Sequence, residues 1–295
     1  MMVARLLAPA LLLSVATSAA SQEGVRTGYV DVEGARLYYE EAGSGMPVVM
    51  IHGGYLDHRM WDGQFAPVAK RYRAIRYDVR AHGRSVSDSV PFADHEDLRR
   101  LLDGLGVEKA VIVGLSMGGQ IAIDFTLTHP ERVAGLMLVA SGLSGFQPHS
   151  EEIMRYVEDM RAARAQGLPA TYEMFTRWFC DGPYRQPSDV DPVVRRKVLD
   201  MLETSEQRWF RPGLQRPPTP PAVGRLGEIR VPTMVVVGSL DVPDIHDIAE
   251  LIVQDVPGAK RVDIQDVAHM VNMEKPVEFN AVLMPFLARV EVGLR

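Results

Sequence analysis

Three residue types that together perform acyl transfer follow one another along this chain, each just past a run that reads as a strand. Ser116 lies in Gly114-Leu115-Ser116-Met117-Gly118-Gly119, directly after Val111-Ile112-Val113. Asp241 ends Gly238-Ser239-Leu240-Asp241, after the run at 232–237. His269 ends Gln265-Asp266-Val267-Ala268-His269, after the run at 260–264. A serine hydroxyl is a poor nucleophile near neutral pH. It needs a base, and the base needs a carboxylate to hold its tautomer.

The Ser116 stretch carries the strongest signal. A β-branched run reads as a buried strand, and Gln120-Ile121-Ala122-Ile123 reads as the start of a helix. A strand that turns at once into a helix leaves little room, so the positions two before and two after the apex must be nearly free of side chain. Gly114 and Gly118 meet that need, and Ser116 is then pushed out of the sheet on a strained backbone. It also stands at a helix N-terminus, where negative charge is favoured. A serine that only caps the helix would not call for glycines on both sides.

The remaining elements must bring these residues together. Residues 29–41 alternate around Glu33-Gly34 and read as an antiparallel hairpin at one sheet edge. Residues 47–51 form a continuous apolar run, a central strand, and lead into His52-Gly53-Gly54-Tyr55. Trp61 is placed on a short helix beneath that loop. Residues 72–78 read as a strand running into the polar 78–85 loop. Asp94 is placed as an N-cap, and Leu98, Leu101, Leu102 and Leu105 fall at helical spacing. Residues 134–140 form another strand, and 245–253 and 276–290 read as helices. In a parallel sheet the C-terminal strand ends share one edge, so Ser116, Asp241, His269 and the His52-Gly53-Gly54 loop converge there. Asp244 competes with Asp241 for the acid, and His52, His82 and His246 compete with His269. His52 is read as shaping its loop and His82 as steadying the turn after its strand.

The chain has 295 residues, 46% of them hydrophobic, and alternates strand-like with helix-like segments. That favours one α/β core, placed at 25–140 and 231–295. Residues 141–230 differ: 151–165, 171–179 and 190–210 read as helices, and 211–221 is proline-rich. They form a helical insertion with a return linker. Its aromatic residues Tyr172, Phe175, Trp178, Phe179, Trp209 and Phe210 serve either as its own small core or as the lining of an apolar pocket. The net charge of −6 with no basic stripe excludes nucleic acid as a partner.

Residues 1–21 read as a secretory signal: Arg5, an apolar core from Leu6 to Ala16, then small residues with cleavage near Ala20. That core is too short to span a bilayer, so no stable membrane insertion is expected after cleavage, and the mature protein is expected to be periplasmic or secreted. Cys180 is the single cysteine, so no intrachain disulfide can form, and its aromatic neighbours suggest a buried apolar role.

The chain resembles the α/β-hydrolase superfamily over essentially everything after the leader. The resemblance rests on His52-Gly53-Gly54, the 78–85 loop, Gly114-Leu115-Ser116-Met117-Gly118-Gly119, His129-Pro130-Glu131-Arg132-Val133, Gly238-Ser239-Leu240-Asp241 and Ala268-His269-Met270. It implies a mostly parallel eight-stranded sheet flanked by helices, with a helical cap after the sixth strand. It implies Ser116 as nucleophile, His269 as general base and acid, and Asp241 as orienting carboxylate. The oxyanion hole would be the backbone N–H groups of Met117 and Gly54, with Tyr55 an alternative to Gly54. Leu115 is a departure, because many relatives carry histidine there.

A serine rather than an aspartate at the apex points to hydrolysis of a small carboxylic ester or lactone through an acyl-enzyme. Tyr55, Leu115, Trp178 and Trp209 are expected to line the substrate pocket. No metal or organic cofactor is implied. Carbon–carbon bond hydrolysis, perhydrolysis and prolyl aminopeptidase activity use the same triad, although Tyr55 stands where such peptidases carry proline. A non-catalytic binder of a small ligand is the alternative of another class.

Overall fold

The structure is a computed structural model, and it describes residues 24–204 and 214–294. The leader expectation, Trp209 and Phe210 lie outside the described residues. The strands form one sheet in the order β1-β2-β4-β3-β6-β7-β8-β9. The edge hairpin pairs β1 (Arg26–Val32) with β2 (Ala35–Ala42), and β2 runs antiparallel to β4 (Arg73–Tyr77). From there β3 (Pro47–Ile51), β6 (Ala110–Leu115), β7 (Val133–Val139), β8 (Thr233–Gly238) and β9 (Lys260–Ile264) continue in parallel. The eight-strand path is the expected one. A two-residue strand, β5 (Val86–Ser87), pairs with β2 and makes nine. It is too short to leave a periodic signal.

The central strands are buried on both faces, which is why they read as unbroken apolar runs. Along β6, Ile112 joins the core on one face, and Val111 and Val113 join the core on the other. The first core is covered by α2 (Asp94–Gly104), α3 (Met117–Thr128) and α7 (Pro243–Asp255). The second is covered by α1 (Asp62–Ala69) and α9 (Pro276–Gly293). Leu98, Leu101 and Leu102 of α2 are fully buried, as their spacing requires. Asp94 is not the cap. Ala93 holds that position, Asp94 opens the helix, and its carboxylate receives the Gln215 amide instead.

After β3 the chain moves to β4 on one side and then to β6 on the other. The strand order therefore reverses between β3 and β6, the switch point where α/β sheets open a crevice at their C-terminal edge. Between β7 and β8 the chain leaves the sheet to form α4 (Glu151–Gln166), α5 (Leu168–Thr176), a π-helical turn at Arg177–Asp181, and α6 (Pro192–Thr204). Helix α6 lies within the stretch 190–210 expected to be helical and begins two residues later; 205–210 fall outside the described residues. Ser150 caps α4 by accepting from the Ile153 N–H at 3.1 Å. No helix among the described residues is long and apolar enough to cross a membrane.

Candidate active site

Ser116 occupies φ 56°, ψ −114°, a conformation unfavourable for any residue with a side chain. The surrounding contacts hold it there. Its N–H donates to the Val139 carbonyl at 2.9 Å, and its carbonyl accepts from Gln120 and Gly142. A Cβ on Gly114 would collide with the Gly118 carbonyl, and one on Gly118 would collide with the Ile51 and His52 carbonyls. The glycines are thus required by backbone packed on backbone, with no flexible side chain that could yield.

The acid and the histidine lie 28 residues apart but are stitched together by their loops. Leu240 N–H donates to the Val267 carbonyl at 3.0 Å, and Ser239 N–H donates to the Ile264 carbonyl at 2.9 Å. Gly238 lies so close to Val267 and Ala268 that no Cβ would fit. The result is a 2.8 Å hydrogen bond from His269 Nδ1 to Asp241 Oδ2, with both residues 3% exposed. A carboxylate only accepts, so Nδ1 carries the proton and Nε2 is left with its lone pair. The other oxygen, Asp241 Oδ1, accepts from the Val242 N–H at 2.8 Å.

The competing residues have other partners. Asp244 accepts from the Ser150 hydroxyl and from the His149 N–H, tying the start of α4 to α7. His246 meets Arg261 of β9, its Nδ1 accepting from the guanidinium at 2.8 Å. His52 accepts the Val79 N–H at Nε2, 2.9 Å, so its Nδ1–H donates to the Gly53 carbonyl at 2.7 Å. Burial pulls its pKa down, which keeps the ring neutral in this role. His82 Nδ1 lies 3.0 Å from the Arg80 carbonyl, within the turn after β4.

The glycine loop after β3 lies directly against the elbow. A Cβ on Gly53 would sit 3.2 Å from a Leu115 methyl and 3.8 Å from Ser116 Cβ, and one on Gly54 would sit 3.8 Å from Met117 Cβ. Gly53 N–H points at Met60 Sδ, 3.1 Å away. Among the described residues, no acceptor is bonded to the Gly54 N–H. Met117 opens α3, at the positive end of its dipole. Tyr55 takes φ 64°, which turns the chain toward the cap.

These residues enclose a cavity of about 120 Å³. Ser116 and His269 both line it, with Gly54, Tyr55, Leu115 and Met117 on the core side. From the cap come Tyr156, Phe175 and Phe179. The Phe179 ring packs on the His269 imidazole with centroids 5.0 Å apart. Trp178 was expected in this lining and is not part of it. Its indole N–H donates to Asp159 at 3.0 Å, and its neighbour Phe179, on the same face as Phe175 four residues earlier, lines the cavity instead. Burial pushes the Tyr156 phenol above its ordinary pKa, so it remains a donor.

Sequence reading also missed a clamp on the histidine loop. Arg185 forms a two-pronged pair with Glu274 at 2.8 and 3.0 Å, and the pair is almost fully buried. The same guanidinium donates to the carbonyls of Cys180, Asp181 and Asp266. Glu274 in turn accepts from the Ala268 N–H, next to His269. The turn that carries Phe179 and the loop that carries His269 are thereby bound to one ion pair. Neither residue lies in a motif, and no spacing signal links positions 89 apart.

The doubly wound sheet, the serine elbow at its switch point and the helical insertion after β7 together define the α/β-hydrolase architecture. The chain belongs to the alpha/beta hydrolase family, whose sequence profile matches residues 48–282. It is 27% identical to a putative carbamate hydrolase, RutD, of Azorhizobium caulinodans over 267 residues, covering 87% of this chain and 97% of that protein. It is 26% identical to 3-oxoadipate enol-lactonase 1 of Acinetobacter baylyi over 245 residues, covering 80% and 86%. Among solved structures, the enol-lactonase from Burkholderia xenovorans LB400 superposes with a TM-score of 0.71 at 25% identity, covering 88% of this chain and all of that one.

Proposed function

We propose that this protein hydrolyses small carboxylic esters or lactones through an acyl-enzyme on Ser116. One observation carries the reading: the strained serine and a histidine held by a buried carboxylate line the same small cavity. His269 Nε2 takes the Ser116 proton as the hydroxyl oxygen attacks the carbonyl carbon. The carbonyl π-electrons move onto oxygen, and the N–H groups of Gly54 and Met117 receive the oxyanion, a contribution typically worth about 3–4 kcal/mol for one donor. Collapse expels the alcohol, which takes the proton from His269. Water then repeats the sequence at the acyl carbon and releases the acid.

The cavity's apolar walls and size favour a short acyl group. The likeness to an enol-lactonase and a carbamate hydrolase supports hydrolysis at an acyl carbon. The N-terminal leader supports export to the periplasm or the medium, which the mass of the mature N-terminus in a fractionated culture tests. The activity is tested with Ser116→Ala: nitrophenyl-ester turnover and fluorophosphonate labelling should both disappear. Turnover that survives the substitution overturns the reading.

A further inference from the structure

The cavity at Ser116, about 120 Å³, is the smaller of two that meet under the cap. A second, larger cavity of about 420 Å³ adjoins the first and shares two of its wall residues, Tyr55 and Tyr156. Its other described walls are Val157, Met160, Arg161 and Arg164, all on the cap helix α4. The described lining therefore carries two positive charges and no carboxylate, on a chain whose net charge is −6. Arg164 acts electrostatically on the Tyr156 phenol, so its charge reaches the boundary between the two cavities. Arg161 forms no ion pair among the described residues, although Glu158 stands one turn before it on α4.

Resting on the esterase reading above, we propose that the outer cavity is an anion subsite and that the substrate is an ester or lactone bearing a carboxylate. The scissile carbonyl sits at Ser116, the chain passes between Tyr55 and Tyr156, and the carboxylate meets Arg161 and Arg164. The two arginines are specificity-determining residues and take no part in the bond changes. The cap helix thus selects by charge, while the inner cavity selects by size.

The test uses matched nitrophenyl esters that differ only at the far end, 4-nitrophenyl hexanoate against the 4-nitrophenyl monoester of adipic acid. A second pair places the methyl or carboxylate end on the alcohol arm. The wild type should prefer the carboxylate member of at least one pair in kcat/KM, by roughly fivefold for each arginine engaged, about 1 kcal/mol each. That ratio should fall toward one in R161Q/R164Q, and in the wild type as salt is raised from low ionic strength to ~0.5 M. Neutral esters turned over with no carboxylate preference in either pair, or a preference that survives both the double substitution and salt, overturn the anion subsite alone. Failure of the wild type to hydrolyse any of the four esters overturns the esterase reading, and this proposal with it.

Discussion

Replacing Asp241 by Asn tests the histidine's role at the level of a single proton. The two carboxylate oxygens have different partners: Oδ1 accepts from the Val242 N–H and Oδ2 accepts from His269 Nδ1. An Asn side chain must keep an acceptor facing the Val242 N–H, because a buried N–H left without one costs about 1–3 kcal/mol. Its amide nitrogen is therefore turned toward His269. A donor there forces Nδ1 to become the acceptor and moves the ring proton to Nε2, the nitrogen that must take the serine proton. The change is isosteric, so packing is preserved and the tautomer is wrong. The expected loss in kcat is on the order of 10³–10⁴, about 4–5.5 kcal/mol of barrier. Steady-state nitrophenyl-ester kinetics and the rate of fluorophosphonate labelling both report it, with thermal unfolding as the control for folding. An Asp241→Asn protein that melts like the wild type and retains more than a tenth of its kcat would refute the argument.

Further predictions concern the supporting shell. Arg185→Gln removes the counter-charge of a buried carboxylate, a change worth about 3–5 kcal/mol. It should lower both the melting temperature and kcat with little change in KM. Glu274→Gln, which keeps an acceptor for Ala268, should lower kcat less; equal kcat in both variants and the wild type would show that the clamp does not position His269. His58 lies between Asp78 at 2.7 Å and Glu40 at 3.3 Å, and these hydrogen bonds outweigh burial to lift its pKa to about 9. The raised value means the stabilisation is complete below about pH 6.5 and is lost as pH rises through 9, with an upper bound of about 3 kcal/mol. Denaturant unfolding should therefore show His58→Gln closing its deficit against the wild type between those two pH values, and a deficit that stays constant over that range would contradict the ion pairing. Burial lifts the Asp124 carboxyl to about 6 despite the Ser144 hydroxyl bonded to it at 2.6 Å. Stability is therefore lost as pH rises from about 4 to 6 and stays lower above it, and Asp124→Asn should add up to about 3 kcal/mol at pH 8 and little at pH 4; a variant less stable than the wild type at pH 8 would sink that account.

The α/β architecture and the central strands were legible in the sequence because their physical cause is local. A strand buried on both faces must be apolar throughout, and a strand that turns at once into a helix must be flanked by glycine. So 47–51 coincides with β3, and Gly114 and Gly118 are glycines because carbonyl oxygens fill the space a Cβ would need. The placing of Asp94 as a cap failed because one residue of offset at a helix start leaves the periodicity unchanged. The cap was legible as a helical insertion but not as a set of directions. Whether Trp178 or Phe179 meets the imidazole depends on how the insertion is rotated over the sheet edge, and helical spacing gives the faces but not that rotation.

The sequence by itself determined which residues can do chemistry and the edge of the sheet on which they stand, since the alternation of strand and helix and backbone sterics operate over a few residues. Only the tertiary structure decided which cap side chains close the cavity, that one buried arginine binds the cap turn to the histidine loop, and that two cationic side chains stand beside the site. Those are contacts between segments tens of residues apart, made by side chains whose directions follow from packing and leave no period in the chain.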